Sequence, residues 1–361
     1  MKKRIIYFTK YTAKGPSSRY RSYNYFSYFN QAGYEIDVRP LFASEYLEIF
    51  FKKGKKPLQY VLKGYFKRLY DLVGLRKYNL IFIEYELFPF IPYCIEWLFL
   101  KGRKNLIIDY DDAIFHNYDR NNNFFVKQLC SNKIYNLVKH ANIIITGSPY
   151  LTKVLQNYNK NIIEIPTSVE FYKYNLFENR PQVKNDGAFK VGWIGSKTQS
   201  INISLVAGAL KKLQKKYNIL LVLIGFDDFL QPILSGVNYK LIEWKAETEN
   251  EVLHSFDVGI MPLQNSDFNK GKCGFKLIQY MATGLPTIST PLEANLKINR
   301  EGNNLFASTE DEWEKCFETM INNKDFYRNN VGKENQEIAK LFYSTENNYK
   351  KYLAVFENIV E

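Results

Sequence analysis

Histidine is scarce in this chain: His116, His140 and His254 are all there is among 361 residues. None of the three has a metal-ligand spacing, so the common zinc arrangements find no local support. The four cysteines, Cys94, Cys130, Cys273 and Cys316, are scattered and form no CxxC pair. A disulfide framework is thereby excluded, and a reducing, cytoplasmic setting is expected. Nineteen glycines and twelve prolines are too few for a low-complexity or collagen-like chain. GxGxxG, GxxxxGK[ST] and GxSxG are all missing, so no dinucleotide fingerprint, P-loop or nucleophile elbow is present. Long apolar runs are missing too. The best stretch, residues 80–100, is interrupted by Glu84, Glu86 and Glu96, whereas a spanning helix needs roughly 18 or more residues with few charges. That stretch reads as a buried strand followed by a core helix. After Met1-Lys2-Lys3-Arg4, the apolar run Ile5-Ile6-Tyr7-Phe8 is too short for the core of a signal peptide, so no leader is expected.

What is present suits a folded protein of two domains: 361 residues, 46% of them apolar. Aromatic residues make up 16%, a surplus available to cores, to stacking on sugars and bases, or to a membrane surface. The net charge of +12 is uneven. Residues 1–165 hold 26 Lys/Arg against 13 Asp/Glu, and residues 166–361 hold 23 against 24. One half carries the whole excess, and a basic half attracts a phosphate-rich partner: nucleic acid, anionic lipid or a lipid-linked diphosphate. No nucleic-acid-binding motif accompanies it, so nucleic acid is not expected.

Strand, Gly/Pro/Ser loop, helix and strand follow one another over residues 5–9, 14–18, 19–32 and 35–38, a βαβ opening that implies a parallel sheet. Further buried strands are expected at 80–83, 106–109 and 143–146. In 58–73, apolar residues recur at helical spacing beside Lys63, Lys67 and Arg68, after the run Lys52-Lys53-Gly54-Lys55-Lys56. Two readings stand: an apolar face packed on the sheet, or a basic amphipathic helix lying on an anionic membrane. A polar, irregular linker falls near 166–181. A second series follows, with strands at 189–194, 219–224, 241–244, 258–261 and 287–289 and helices at 203–217, 249–256 and 274–282. Gly284 and Pro286 end the last helix. Two doubly wound α/β domains are predicted, 1–165 joined by the C-terminal helix 345–361, and 166–344, facing each other across a cleft.

The densest chemistry lies in 257–291, DVGIMPLQNSDFNKGKCGFKLIQYMATGLPTISTP. A strand ends, a loop carries Lys270 and Lys272, and a helix starts near Gly274-Phe275-Lys276. Free N–H groups and the positive end of the helix dipole favour an anion there, and the lysines add charge. Gln279, one turn in, is placed to hydrogen-bond a ribose hydroxyl. The alternative is an ordinary loop with solvated lysines.

Together with GPSSRYR near the start and GWIGS at the head of the second domain, this stretch resembles the retaining glycosyltransferases of the GT-B fold, family four (group 1), polysaccharide-assembly branch. The likeness spans nearly the whole chain. It implies two Rossmann-like domains and a nucleotide-diphosphate sugar donor, UDP- or GDP-linked. It further implies retention of configuration, with neither metal nor other cofactor, and a glycan or polyprenyl-diphosphate-linked acceptor. The setting would be the cytoplasm, with peripheral contact at the inner face of the membrane. The family's two glutamates, with seven residues between them, fall here on Gly271 and Gln279, so both carboxylates are absent. Gly15 matches the glycine loop beneath the diphosphate and sugar. Gly195 and Ser196 match the phosphate loop, and Lys197 and Lys276 are the candidates for the diphosphate. Trp244, Lys272, Gly274 and Phe275 complete the expected donor site. Trp244 reads equally as a base-stacking or a core residue.

On the acceptor side, Asp109-Tyr110-Asp111-Asp112 closes a strand. The metal reading of this DxD motif is rejected in favour of the metal-independent fold. Asp111, Asp112 and His116 are the catalytic candidates, to orient the acceptor or sugar hydroxyls, with a strand-end turn cap as the plain alternative for the aspartates. Arg19, Arg21 and Glu86 are placed on the acceptor side. Two rivals remain: an inverting enzyme that uses Asp111, Asp112 or His116 as base, and a catalytically inactive nucleotide-sugar-binding or scaffold subunit.

Overall fold

A computed structural model describes residues 3–54, 57–174, 187–300 and 302–360. Residues 175–181 of the expected linker, and Lys55 and Lys56 of the basic run, lie outside the described residues. The chain forms two compact units: 1–168 with 270–273 and 347–361, and 169–269 with 274–346. The loop 270–273, expected in the donor domain, is thus part of the first unit.

The first unit is built on six parallel strands in the order β2-β1-β3-β4-β5-β6. These are β1 (Lys3–Phe8), β2 (Tyr34–Val38), β3 (Leu80–Glu84), β4 (Leu106–Tyr110), β5 (Ile143–Thr146) and β6 (Ile162–Glu164). Helices cover both faces of such a sheet, so its central strands read as unbroken apolar runs; β3 and β4 are buried at every residue. Ile6, Phe8, Ile81 and Ile83 point to one core, and Ile5, Tyr7, Leu80 and Phe82 to the other. The second core consumes much of the aromatic surplus. Tyr7 stacks on Phe82 at 4.1 Å, and Tyr25, Phe29, Tyr352 and Phe356 close around them. Tyr352 and Phe356 come from the last helix, Thr345–Val360.

The second unit repeats the architecture in the order β12-β11-β10-β7-β8-β9. Its strands are β7 (Phe189–Ile194), β8 (Ile219–Ile224), β9 (Tyr239–Ile242), β10 (Val258–Met261), β11 (Thr287–Ser289) and β12 (Leu305–Phe306). Strand order reverses beside β7 in this sheet and beside β1 in the first. Loops leaving the carboxyl ends of strands at such reversals are where α/β folds receive ligands.

Four expectations are corrected. The helix expected over 19–32 is broken into Pro16–Arg21, a 3-10 turn Tyr23–Tyr25, and Phe26–Gln31. The break falls at Ser22, whose backbone leaves the helical region at φ −129°. Strand β9 ends at Ile242, so Trp244 lies beyond the strand. Strands β6 and β12, three and two residues long, escaped the sequence reading. The helix Leu58–Asp71 divides its apolar stripe: Val61 and Tyr65, with Leu72 just after it, pack inward, while Leu58, Leu62, Phe66, Leu69 and Val73 face solvent. Leu58 is 69% exposed and Phe66 71%, whereas Gly64, Arg68 and Asp71 face inward. Among the described residues, no helix is long and apolar enough to cross a membrane.

Candidate functional site

In the second unit, the strand ends β7, β8 and β9 bring three loops together. Gly195 follows β7, and its N–H donates to the Ile224 carbonyl at 3.0 Å. The Trp193 ring lies where a side chain at 195 would go, 2.1 Å from an ideal Cβ, so only glycine fits. Gly225, at φ +73°, sits against the Gly195 carbonyl and close to the Trp244 Cβ. Ser196 precedes the 3-10 turn Lys197–Ile203, with its hydroxyl 3.0 Å from that of Thr198, and Lys197 is exposed.

The helix Phe275–Ala282 starts on Gly274, which is left-handed at φ +64°. A Cβ there would meet Ile298 at 2.2 Å, so backbone strain and packing both demand glycine. Lys276, in the first turn, sets its ammonium 5.9 Å from the centroid of the Trp193 ring. The two motifs, some eighty positions apart in the chain, therefore meet at Trp193: its ring closes over Gly195 and carries Lys276 beside it.

Gln279 is buried, and its amide nitrogen donates to Glu249 Oε1 at 2.9 Å and to the Tyr174 hydroxyl at 3.1 Å. The donor expected for ribose is thus committed inside the protein. Glu249, which sequence reasoning missed, also accepts from Tyr174 at 3.0 Å and from Trp244 Nε1. It explains the departure at 279. A carboxylate in that place would face Glu249 and be repelled, whereas an amide donates to it. Trp244 is 39% exposed, neither a core residue nor a loose one. No local pattern marks Glu249; only the folded pairing reveals it.

In the first unit, Gly15 precedes the helix Pro16–Arg21, and a Cβ there would fall 2.5 Å from Tyr11 Cβ. Arg19 lies over the Tyr20 ring at 4.7 Å. Arg21, expected on the acceptor side, is instead 1% exposed and grips Asp109 with two nitrogens, while Nη1 donates to the Ile165 carbonyl at 2.7 Å. Glu86 is equally committed: the Tyr118 hydroxyl lies 2.6 Å from Oε1, and Lys133 Nζ lies 2.6 Å from Oε2 and 2.7 Å from Glu96. Both belong to the interior rather than to an acceptor surface.

Three carboxyl groups remain near the ends of β3 and β4. Glu84 accepts from Ser18 at 2.8 Å and from the Lys10 amide at 3.4 Å, and burial pushes its carboxyl up to about 8. Asp111 accepts from the Tyr85 hydroxyl, and burial, with the charge of Asp112 next, lifts it to about 6. Asp112 pairs with Lys272 at 2.8 Å through Oδ2, while Oδ1 is buried without a partner. Burial works against the charge on Lys272, but Asp112 outweighs it and holds the ammonium above its ordinary range. Lys272 is therefore paired with an aspartate of the first unit, to which its own loop belongs. His116 is fixed by Asp119 at 3.0 Å on Nδ1 and Tyr150 at 3.2 Å on Nε2. Gly271 packs on Ala113, and a Cβ would stand 2.4 Å from that of the alanine, which explains the missing side chain at the family's first glutamate position.

Residues 188–323 match the domain described as glycosyl transferases group 1. No curated protein matches the chain by sequence. Among solved structures, the chain is similar to sucrose-phosphate synthase from Thermosynechococcus elongatus, at 12% identity over 99% of both chains with a TM-score of 0.72. It is similar to HepE of Anabaena in complex with UDP and glucose, at 11% identity over 99% of this chain and 100% of that one, TM-score 0.69. A third is WaaG, a glycosyltransferase involved in lipopolysaccharide biosynthesis, at 11% identity over 98% and 99%, TM-score 0.67. With its two six-stranded parallel sheets, the fold is GT-B.

Proposed function

We infer that this chain, a glycosyltransferase of GT-B fold, takes a sugar from a UDP- or GDP-linked donor and passes it to a glycan or lipid-linked glycan. One observation carries the donor half: Trp193 holds the Gly195 loop and Lys276 together at a strand-order reversal. A diphosphate is the ligand that uses this arrangement. The positive end of the helix dipole and the two cations, Lys197 and Lys276, would neutralise the charge that grows on the departing nucleotide. HepE, which shares the fold, is described in complex with UDP and glucose.

The acceptor half rests on the first unit. Asp111, with its carboxyl raised toward neutrality, suits a group that orients a hydroxyl and accepts a hydrogen bond from it. Asp112 and His116 are its neighbours in the chain, held by Lys272 and by Asp119 and Tyr150. Among the described residues no pair of carboxylates is assigned as acid and nucleophile, which favours retention through leaving-group departure and oxocarbenium character over a covalent intermediate. A divalent ion has no role in this reading. Asp109, the first carboxylate of the DxD pattern, is closed off by Arg21.

A thermal-shift panel of nucleotides and nucleotide sugars, with and without EDTA, on the native chain and Lys276→Ala tests it. Stabilisation by one UDP or GDP sugar, insensitive to EDTA and lost in the variant, is expected. Absence of any shift would replace the enzyme with a scaffold subunit, and a shift that needs metal would overturn the metal-free mechanism.

A further inference from the structure

The chain leaves β3 through a turn that suits a tyrosine poorly. Tyr85 stands at φ +64°, and the Glu86 N–H donates to the Glu84 carbonyl at 2.9 Å, closing a three-residue turn around it. That hand of the turn is rare and strained, and a bulky side chain adds to the cost where glycine would be free of it. Phe90, further along the same loop, is left-handed again at φ +61°. Among the described residues only one other non-glycine, Arg300, shares this region. The strain is concentrated in 85–92.

That loop is braced from its buried side. Glu96, on the helix Tyr93–Leu100, accepts from the Leu87 N–H at 3.1 Å and from the Phe88 N–H at 3.0 Å. Lys133, on the helix Lys133–His140, donates to the Phe88 carbonyl and joins Glu86 to Glu96. The Tyr118 hydroxyl accepts from the Phe90 N–H at 3.2 Å, and Tyr65 donates to the Pro89 carbonyl. Glu86, Glu96 and Lys133 are all buried, which is costly for ionisable groups, and the proposed transfer makes no use of them. Backbone strain persists only where its surroundings over-determine it. Holding the loop is what these three groups do.

The strain secures the aim of one phenol. The Tyr85 N–H donates to the Asp109 carbonyl at 3.0 Å, and its hydroxyl donates to Asp111 Oδ1. Asp111 is fastened through its backbone as well, its carbonyl accepting from Cys273 Sγ at 2.7 Å. Asp111 Oδ2 has no hydrogen-bond partner among the described residues. We propose that Tyr85 is a positioning residue for sugar transfer, holding one oxygen of Asp111 so that the other is left for the incoming acceptor hydroxyl. A phenylalanine would pack in the same apolar cluster, so core filling alone does not account for a phenol in a strained turn. This role rests on the reading of Asp111 as the group that orients the acceptor, and adds what orients Asp111.

Tyr85→Phe removes the hydroxyl alone, and is compared with Asp111→Asn and with the two combined. The assay follows release of UDP or GDP from a panel of UDP- and GDP-sugars, with water and glycerol as acceptor hydroxyls, from about pH 5 to about pH 9. Tyr85→Phe is expected to lower kcat about tenfold with the donor KM unchanged, the split of a group that acts after binding. In the Asp111→Asn background the same change should cost nothing further, because Tyr85 acts through Asp111. Asp111 is faced by Asp109 and Asp112 on its own strand end, by Glu84 and Tyr85, by Lys10 and Arg21, and by Lys272 and Cys273. Burial raises its carboxyl and the Tyr85 hydrogen bond opposes the rise, so the acid limb of the rate profile should move to higher pH in Tyr85→Phe. A nucleotide-induced thermal shift equal to that of the native chain is the control for fold and donor site. Tyr85→Asn, which tolerates the left-handed backbone, removes the phenol a second way should the first variant not fold. Native kcat in the folded variant, a raised donor KM with kcat unchanged, or an equal loss in the Asp111→Asn background overturns the proposal. Release by the native chain that neither single variant alters rejects the role of Asp111 and keeps the donor reading. No release from any sugar of the panel rejects the donor reading itself.

Discussion

Arg21 presents two nitrogens to the two carboxylate oxygens of Asp109, Nε at 3.0 Å from Oδ2, and each residue is only 1% exposed. The pair joins the first helix to the centre of the sheet. Asp109→Ala would leave a guanidinium buried without its counter-charge, which costs about 3–5 kcal/mol, and Arg21→Met with Asp109→Leu should restore much of it. Urea denaturation of the three proteins decides. A loss under about 1 kcal/mol in the single variant would show the pair to be solvated.

Glu84 predicts a pH dependence with a definite sign. Its folded carboxyl keeps its proton up to about 8, whereas an unfolded chain releases it near 4.3. The stability this group contributes is complete below the unfolded value and drains away as pH rises toward 8, because the unfolded state then binds fewer protons. Glu84→Gln has no such loss. The stability of the native chain relative to the variant should therefore fall between about pH 5 and pH 8. A difference independent of pH would mean that Glu84 is ionised in the fold.

Gly271 and Ala113 set a third expectation. A family-like glutamate at 271 would force its Cβ to within 2.4 Å of the Ala113 Cβ. Gly271→Glu should therefore destabilise the first unit, by about 1–3 kcal/mol for overpacking alone, and lower transfer activity rather than restore a missing function. A melting temperature equal to that of the native chain would refute the steric explanation.

Much of the architecture was legible because buried parallel strands are continuous apolar runs. Residues 143–146, 189–194, 219–224 and 258–261 became strands with the bounds their patterns suggested. What periodicity does not encode is which side of a stripe finds a partner. In 58–73 the spacing located the helix correctly, but Gly64, Arg68 and Asp71 turned out to be the inward residues. A helix wheel counts Arg68 as solvated charge, and only its bond to the Thr9 carbonyl reveals its task.

The candidate site was legible to the same depth. Gly274 and Lys276 announced themselves through a helix start, and Gly195 through the resemblance of its loop. By contrast, Asp109 and Asp111 stand two apart in one short acidic cluster, yet one is locked by Arg21 and the other held by Tyr85. Sequence distance cannot separate them, because the discriminating partners come from distant parts of the chain, a helix for Arg21 and the loop after β3 for Tyr85. Glu249 was invisible for the same reason: its partner Gln279 lies thirty positions on.

The last helix has a consequence for how the chain is made. Tyr352, Val355 and Phe356 complete the aromatic core around Tyr7, Phe29 and Phe82, although every strand of that sheet lies before residue 165. A ribosome delivers the sheet early and its missing layer late. In the interval Tyr7 and Phe82 have one flank open, and the second unit is synthesised while the first is unfinished. Newly made chain therefore carries an exposed aromatic surface for most of its translation, a demand on chaperones that the finished protein no longer shows.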